Sequence, residues 1–469
     1  MLKLDLMMFS AWIKWLSVIS QFMMKWYKMT INLKLSEGFK RYFLNTGWLF
    51  IGNISRMLAS LLVGIWVARY LGPKEFGVLN YASSFVALFS VLTTLGLDGI
   101  VVRELVKDSS KSNNILGTAF GLKLLGFFAL LIILLGVLYF AEERLYTKSI
   151  IFVVALSTMM QSFNVLDFYF QSQVKSKFVA LANLISLVIS SITKIILILC
   201  GAELIYFAAV VVLDSFTLSL GFIYFYQSKK FGSIKNWRFK FAVAKSLLRD
   251  SWPLILSGLA ISIYMNIDQV MINHMLGSQE VGQFAAAVRI STVWYFIPVV
   301  ISSSLFPAII NAKKVSEELY YTRLQRLYDL MVWMAIAIAL PMTFLSDWVV
   351  NLLYGQQYNQ AGSVLMIHIW AGIFVSLGVA SSSWLLTESM QKISFYRTVY
   401  GALVNILLNI ILVPKYGIQG AAIATLVTQI VAAYISDIFN SSTRGMFYMK
   451  TKSIFLYSNF RSKNVRSNL

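Results

Sequence analysis

Five basic side chains lie inside long apolar stretches of this 469-residue sequence. They are Arg56, Arg69, Lys123, Lys194 and Arg289. A basic residue at the centre of a membrane-spanning helix costs roughly 2.5–3.5 kcal/mol on insertion scales. Such a side chain therefore faces a cavity or a partner. Arg69 alone lies close enough to the end of its stretch to reach the interface by snorkelling.

Carboxylates that could be those partners lie within or near the same stretches. They are Asp98, Asp167, Asp214 and Asp268. A structural ion pair with one of them is the plainest alternative for each basic residue, and it stays open for Arg56 and Arg289. Asp98 and Asp268 are the strongest acidic candidates, either for charge pairing with these cations or for binding a coupling proton or cation.

Patterns that build an enzyme active site are missing from the sequence. It contains no Walker A glycine-rich run, no HExxH and no CxxC pair. His274 and His368 lie on different predicted helices without metal-ligand spacing, so we interpret both as helix-packing residues. The longest predicted exterior loop, 141–149, is too short for the external sites of membrane polymerases and glycosyltransferases. We therefore expect no catalytic residues, no metal and no cofactor.

The elements that position the charged residues are helices of membrane length. Hydrophobic residues make up 58% of the chain and charged residues 13%, whereas soluble proteins carry about 25% charged residues. A helix needs about 20 apolar residues to cross the hydrocarbon core. Twelve such spans are predicted, at 47–70, 78–102, 115–140, 150–170, 178–200, 203–226, 252–276, 282–311, 327–354, 361–387, 394–413 and 418–439. A soluble helical protein would show polar faces on these helices instead.

The distribution of Lys and Arg predicts the orientation of the spans. If both termini are cytoplasmic, thirty-one basic residues lie in cytoplasmic segments and four in exterior ones. The positive-inside rule strongly favours this orientation. The net charge of +20 then meets the anionic headgroups of the cytoplasmic leaflet, so we favour membrane lipids over nucleic acid as the partner of the basic charge.

An internal repeat divides the chain into two halves. The motif L-G-x-x-E-[FV]-G occurs at 71–77 and again at 276–282, each time in the predicted exterior turn between two spans. Its glycines permit a tight turn and a close approach of two backbones. Two parallel six-helix bundles around a central cavity are a transporter plan. The predicted organisation is a cytoplasmic amphipathic and basic segment (1–43), a six-helix bundle (44–226), a cytoplasmic linker (227–251), a second six-helix bundle (252–439) and a basic cytoplasmic tail (440–469).

Four segments resemble the polysaccharide biosynthesis flippase family, the translocases of O-antigen and capsule repeat units. The segments are V-A-R-Y-L-G-P-K-E-F-G at 67–77, L-G-L-D at 95–98, I-D-Q-V-M-I at 267–272 and P-K-Y-G-I-Q-G-A-A at 414–422. The resemblance covers roughly 44–440. The wider superfamily includes the multidrug and toxic-compound extrusion (MATE) antiporters and the flippase of the peptidoglycan lipid precursor, which has fourteen helices. The resemblance implies an all-α, MATE-like integral membrane fold.

For function, the resemblance implies movement of an undecaprenyl-pyrophosphate-linked oligosaccharide across the bacterial inner membrane. Arg56, Lys123 and Arg289 are the expected substrate-binding residues, because cations in a cavity form charge-assisted hydrogen bonds with phosphate oxygens. A cationic drug would favour an acidic cavity, so an ion-coupled drug antiporter is the weaker alternative, and a non-transport membrane scaffold is weaker still. Further partners implied by the family are a polysaccharide polymerase and a chain-length regulator.

Overall fold

The computed structural model describes residues 37–141, 143–388 and 390–455. Most of the predicted amphipathic N-terminal segment therefore lies outside the described residues. All regular structure within them is helical, in agreement with the all-α fold expected from the sequence. The helices are α1 (Glu37–Phe89), α2 (Val91–Thr94), α3 (Asp98–Lys107), α4 (Ser112–Phe140), α5 (Leu145–Met160), α6 (Val165–Ser172), α7 (Ser176–Leu199), α8 (Leu204–Ser228), α9 (Phe241–Leu276), α10 (Ser278–Thr292), α11 (Phe296–Lys313), α12 (Glu317–Tyr354), α13 (Ala361–His368), α14 (Ala371–Thr387), α15 (Gln391–Ala433) and α16 (Arg444–Phe455).

The number of membrane-length helices agrees with the sequence. Among the described residues, eight helical stretches are long and apolar enough to cross a membrane, and ten are if each bent pair counts as one. Two of these ten are interrupted by a glycine with non-helical backbone angles, Gly72 in α1 and Gly417 in α15. Division at the two glycines gives twelve helical segments, which confirms the expected number of about twelve.

Large apolar side chains are exposed along these helices. Ile132, Phe344 and Trp348 are examples, with 69%, 80% and 62% of their surface accessible. A soluble protein rarely exposes so much apolar surface, whereas a bilayer solvates it. The chain is therefore a multi-pass membrane protein.

Contacts divide the chain into two units of similar size. The first unit comprises the described residues up to Leu71 together with Phe85–Leu259, and the second comprises Gly72–Ser84 and the described residues from Ala260 onward. Helices α1 and α9 therefore each contribute to both units. The six-plus-six division of the sequence at the 227–251 linker stays a prediction.

Aromatic and aliphatic side chains form the core of each unit. In the first unit, Leu116 of α4, Phe170 of α6 and Phe222 of α8 belong to one buried cluster. The linker closes that cluster from one side, where the backbone N–H of Lys240 donates to Thr118 Oγ1 at 3.0 Å. In the second unit, Tyr328 of α12 and Trp384 of α14 pack in a second cluster.

The two repeated motifs have the same turn geometry. Gly72 has φ 71° and ψ 169°, and Gly277 has φ 98° and ψ 171°. This region of backbone space is essentially restricted to glycine. Both motifs therefore end a helix in the same way, which confirms the turn role predicted for the first glycine of each motif.

In the described part of the basic C-terminal segment, Arg444–Phe455 form a packed helix, α16. Met446 and Met449 of α16 are buried in the core of the second unit. Lys450 is buried too, and its ammonium group pairs with Asp437 at 2.7 Å. Composition alone did not indicate this helix, because its residues are polar on average and only one of its faces is buried.

Candidate functional site

Arg56 is held by polar side chains of two other helices of the first unit. Its Nη2 lies 2.6 Å from Asp214 Oδ2 on α8, and its Nη1 donates to Asn183 Oδ1 on α7. The ion pair that was left open as the alternative for Arg56 is thus present, while the role of Arg56, including its proposed contact with phosphate, stays a prediction.

Lys123 lies beside two carboxylates of the first unit. Its Nζ is 4.0 Å from Asp98 Oδ1, and the lysine is buried while Asp98 is exposed. Asp167 is close enough to interact electrostatically with both residues, and the Phe168 ring centroid lies 5.2 Å from the ammonium group. These contacts favour charge pairing for Lys123 and Asp98, so substrate binding by Lys123 stays the less supported prediction.

A break in the helix places Asp98 beside Lys123. The helical stretch 56–107 bends by 47° between Phe89 and Val91, and Leu95 and Gly96 follow with left-handed backbone angles. Asp98 stands in the first turn of α3, which begins after these residues. The L-G-L-D segment at 95–98 therefore forms a turn, and its last residue, Asp98, is the first residue of the helix that follows.

Arg289 has a different environment, in the second unit. Its guanidinium lies 6.0 Å from the ring centroid of Phe76, and the side chain is partly buried. Among the described residues, no carboxylate lies within 4.0 Å of Arg289. The ion pair left open as the alternative for Arg289 is therefore absent among the described residues, and no carboxylate compensates its positive charge at close range.

Asp268 is the carboxylate of a buried oxygen-rich cluster in the second unit. Asn409 Nδ2 donates to Asp268 Oδ1 at 2.6 Å, and Thr425 Oγ1 donates to Oδ2 at 2.7 Å. Asn405 Oδ1 accepts a bond from the same Asn409 amide at 3.1 Å. Asn409 Oδ1 is buried without a hydrogen-bond partner, and within the described part of the chain no basic group pairs with Asp268.

This cluster has the chemistry of a site for a hard cation. A buried carboxylate without a counter-charge is strongly unfavourable, so a proton or a metal cation is needed to neutralise it. Carboxylate, amide and hydroxyl oxygens are the ligands that such cations prefer. Among the described residues, no group of three or more His, Cys, Asp or Glu side chains could hold a metal. A metal cation held here would therefore take most of its ligands from amide and hydroxyl oxygens.

The neutral partners of these charged residues were not identified from the sequence. Asn183, Asn405, Asn409 and Thr425 are uncharged residues within apolar helices, and their spacing gave no signal. Both histidines make packing contacts, as expected: His368 is hydrogen-bonded to Ser291 at 2.7 Å, and His274 lies edge-on to Tyr81.

The helical architecture and the buried charges define a multi-pass membrane protein with the fold of a transporter. A solved inward-facing multidrug MATE transporter matches 85% of this chain and 96% of its own, with a TM-score of 0.68 at 17% identity. The lipid II flippase MurJ matches 88% of this chain and 91% of its own, with a TM-score of 0.62 at 16% identity. At these identities the likeness shows the fold alone.

The family follows from the sequence comparison. The family model described as polysaccharide biosynthesis protein matches residues 43–313, more than half of the chain, and the MatE model matches 253–411. The chain belongs to the polysaccharide biosynthesis protein family.

Relatives of similar length carry related descriptions. A putative O-antigen transporter of Shigella dysenteriae is 22% identical over 81% of this chain and 96% of its own length. The capsular polysaccharide biosynthesis protein CapF of Staphylococcus aureus is 19% identical over 83% of this chain and 96% of its own. A probable low-salt glycan biosynthesis flippase, Agl15 of Haloferax volcanii, is 24% identical over 80% of this chain and 79% of its own length.

Proposed function

We propose that the protein is a flippase that moves an undecaprenyl-pyrophosphate-linked oligosaccharide repeat unit across the bacterial inner membrane. The product is built into O-antigen, capsule or another surface polysaccharide. The observation that carries the proposal is the uncompensated guanidinium of Arg289 inside an apolar helix. The names of the relatives support the same substrate class, since they include an O-antigen transporter and a glycan flippase.

The charge of Arg289 fits the head of this substrate. A pyrophosphate is a dianion that cannot cross hydrocarbon unaided, and a guanidinium can hold two of its oxygens at once. An arginine without a nearby carboxylate keeps its full charge for such a ligand. Arg56 offers its remaining N–H donors, and Lys123 is the third proposed contact.

The buried Asp268 cluster supplies a site for coupling. We propose that Asp268, Asn405, Asn409 and Thr425 hold a proton or a small cation whose gradient drives transport. A bound cation would neutralise the carboxylate, and Asn409 Oδ1, which has no hydrogen-bond partner among the described residues, would gain a partner. Asp98, next to Lys123, is the weaker coupling candidate because its charge already has a counter-charge.

A complementation experiment tests the substrate assignment. Arg289→Ala should abolish surface glycan in a deletion strain at normal protein level, and lipid-linked intermediate should accumulate. Arg144→Ala is the matched control, because that arginine is exposed in a loop. An unchanged glycan with altered drug resistance would instead support the antiporter. Assembly with a polymerase and a chain-length regulator is part of the same proposal, and co-purification of the tagged protein from membranes tests it.

A further inference from the structure

The groups that bind Arg56 are themselves fixed by further hydrogen bonds. Asp214 accepts a bond from Ser186 Oγ at its Oδ1, at 2.6 Å, while its Oδ2 accepts from Arg56. Ser186 is fully buried, and its hydroxyl accepts a bond from Thr217 at 3.0 Å. Asn183 donates from Nδ2 to the carbonyl of Val179 at 3.0 Å, so its Oδ1 must face Arg56. Asn183 is therefore oriented by its own helix, and Asp214 is oriented by Ser186 of the neighbouring helix α7.

Asp214, Asn183 and Ser186, together called the holder, use only part of the hydrogen-bonding capacity of Arg56. A guanidinium has five N–H donors in a rigid plane, and the two contacts with Asp214 and Asn183 take one donor from each terminal nitrogen. The side chain remains 33% exposed. The plane of the guanidinium is thus fixed from α7 and α8, and among the described residues no acceptor takes its other three donors.

A pair that served only to neutralise a buried charge would need fewer polar groups around it. One carboxylate is sufficient to compensate one guanidinium, and the Arg56–Asp214 contact is partly exposed, where an ion pair by itself contributes little to stability. The structure adds an oriented amide and a buried hydroxyl to that pair. Groups that fix a charged side chain in one rotamer are typical of binding sites, because they remove the cost of ordering it when the ligand arrives.

We infer that Asp214, Asn183 and Ser186 are positioning residues that present Arg56 to an anionic phosphate group of the transported lipid. The inference rests on the proposed function, since it assigns a holder to one of the cations proposed to bind the substrate. It also reconciles the ion pair with a binding role for Arg56, because the pair sets the direction of the guanidinium.

A charge swap separates this role from a structural one. The double variant Arg56→Asp/Asp214→Arg keeps an ion pair between the same two helices but moves the guanidinium to α8. The readouts are thermal unfolding of the purified protein in detergent and binding of undecaprenyl pyrophosphate, followed by quenching of tryptophan fluorescence. We expect the swap to recover most of the stability that Asp214→Asn loses, while binding stays weaker by about tenfold or more.

Milder variants keep the inference testable if the swap does not fold. Asn183→Ala and Ser186→Ala each remove one member of the holder without changing net charge, and each should weaken binding by a few-fold. Ser190→Ala is the matched control, because Ser190 is buried on the same helix and, among the described residues, its hydroxyl bonds only to the carbonyl of Leu187. It should bind as tightly as the wild type.

The outcomes distinguish the two proposals. Wild-type binding that is lost in Arg289→Ala but unchanged in the swap and in the holder variants would overturn the positioning role and leave the proposed function standing. No binding by the wild-type protein would overturn the proposed function itself. Weaker binding in the swap and in Ser186→Ala, with normal binding in Ser190→Ala, supports both.

Discussion

Gly77 packs directly against the backbone of Ser278, so that a methyl group at position 77 would lie 1.7 Å from the Ser278 carbonyl oxygen. The relationship is reciprocal. A methyl group at Gly282 would lie 1.9 Å from the carbonyl oxygen of Pro73. Position 73 corresponds to 278 in the repeat, and 77 to 282. The two motifs thus contact each other through equivalent residues within the second unit.

The first prediction is that neither of these glycines tolerates alanine. The obstructing atoms are backbone atoms, which cannot move aside as a flexible side chain can, so Gly77→Ala and Gly282→Ala should each destabilise the protein by about 1–3 kcal/mol. Thermal unfolding in detergent measures the loss. Gly136→Ala is the control, because a methyl group there would meet no described atom within 4 Å beyond its own stretch of helix, and its unfolding temperature should not fall. Equal behaviour of all three variants would contradict the close contact.

The second prediction separates backbone strain from steric conflict. Gly277 has nothing within 4 Å of an added methyl group, but its φ is 98°. Alanine there should cost about 1–3 kcal/mol through strain alone. Asparagine should not rescue it, since ψ is 171°, outside the left-handed helical region that asparagine tolerates. An unfolding temperature of Gly277→Asn equal to that of wild type would show that the turn can adopt another conformation.

These glycines show what the sequence could predict. The motif repeat, the length of the spans and the roles of both glycines depend on local backbone rules, and the structure agrees with all three. The charged residues inside spans were also identifiable, because charge in an apolar run is conspicuous. Their environments were not. Arg56 meets Asp214 and Asn183 across more than 120 residues of sequence, and only tertiary packing decides which carboxylate lies nearest.

The neutral members of each cluster could not be identified from the sequence, and the cause is physical. Asparagine and threonine inside a spanning helix can bond to their own helix backbone, as Asn409 does with the carbonyl of Asn405. Their presence therefore carries no information about a neighbouring carboxylate. Helix α16 was hidden similarly, because only one face of it is buried and Lys450 becomes acceptable there only through Asp437.

The third prediction concerns this buried charge cluster. Asp437 is fully buried between two cations, Arg397 and Lys450. Asp437→Asn leaves both cations without a carboxylate and should cost about 3–5 kcal/mol. Lys450→Met leaves the Arg397–Asp437 pair intact and should cost clearly less. Unfolding temperatures of the two variants test the order, and a larger loss in Lys450→Met would show that Lys450 is the essential counter-charge.

The fourth prediction concerns topology. The distribution of basic residues predicts that the 276–282 turn lies outside the cell and the linker inside it. In a Cys200→Ser background, which removes the exposed native thiol, Gln279→Cys should react with a membrane-impermeant maleimide on intact cells. Asn236→Cys should react only after the membrane is opened. Both positions are exposed, so lack of access would not explain a negative result, and the reverse pattern would refute the orientation.

The last prediction tests the Asp268 cluster first by thermal unfolding and then, if needed, by a transport assay. A cation that binds the folded protein stabilises it by RT ln(1 + [L]/Kd), about 2.7 kcal/mol at a hundredfold excess over Kd. If the cluster binds Na⁺, the wild-type unfolding temperature should be higher in sodium chloride than in N-methylglucamine chloride of equal ionic strength. The difference should vanish in Asp268→Asn, whose side chain lacks the charge. Asp98→Asn is the matched control, because Asp98 already lies beside Lys123 and its loss should leave the sodium effect unchanged. If sodium has no effect on the wild type, a proton is the next ligand to test, and proton coupling predicts that Asp268→Asn abolishes the dependence of transport on a pH gradient. Transport that stays coupled to such a gradient in Asp268→Asn but not in Asp98→Asn would move the coupling site to Asp98.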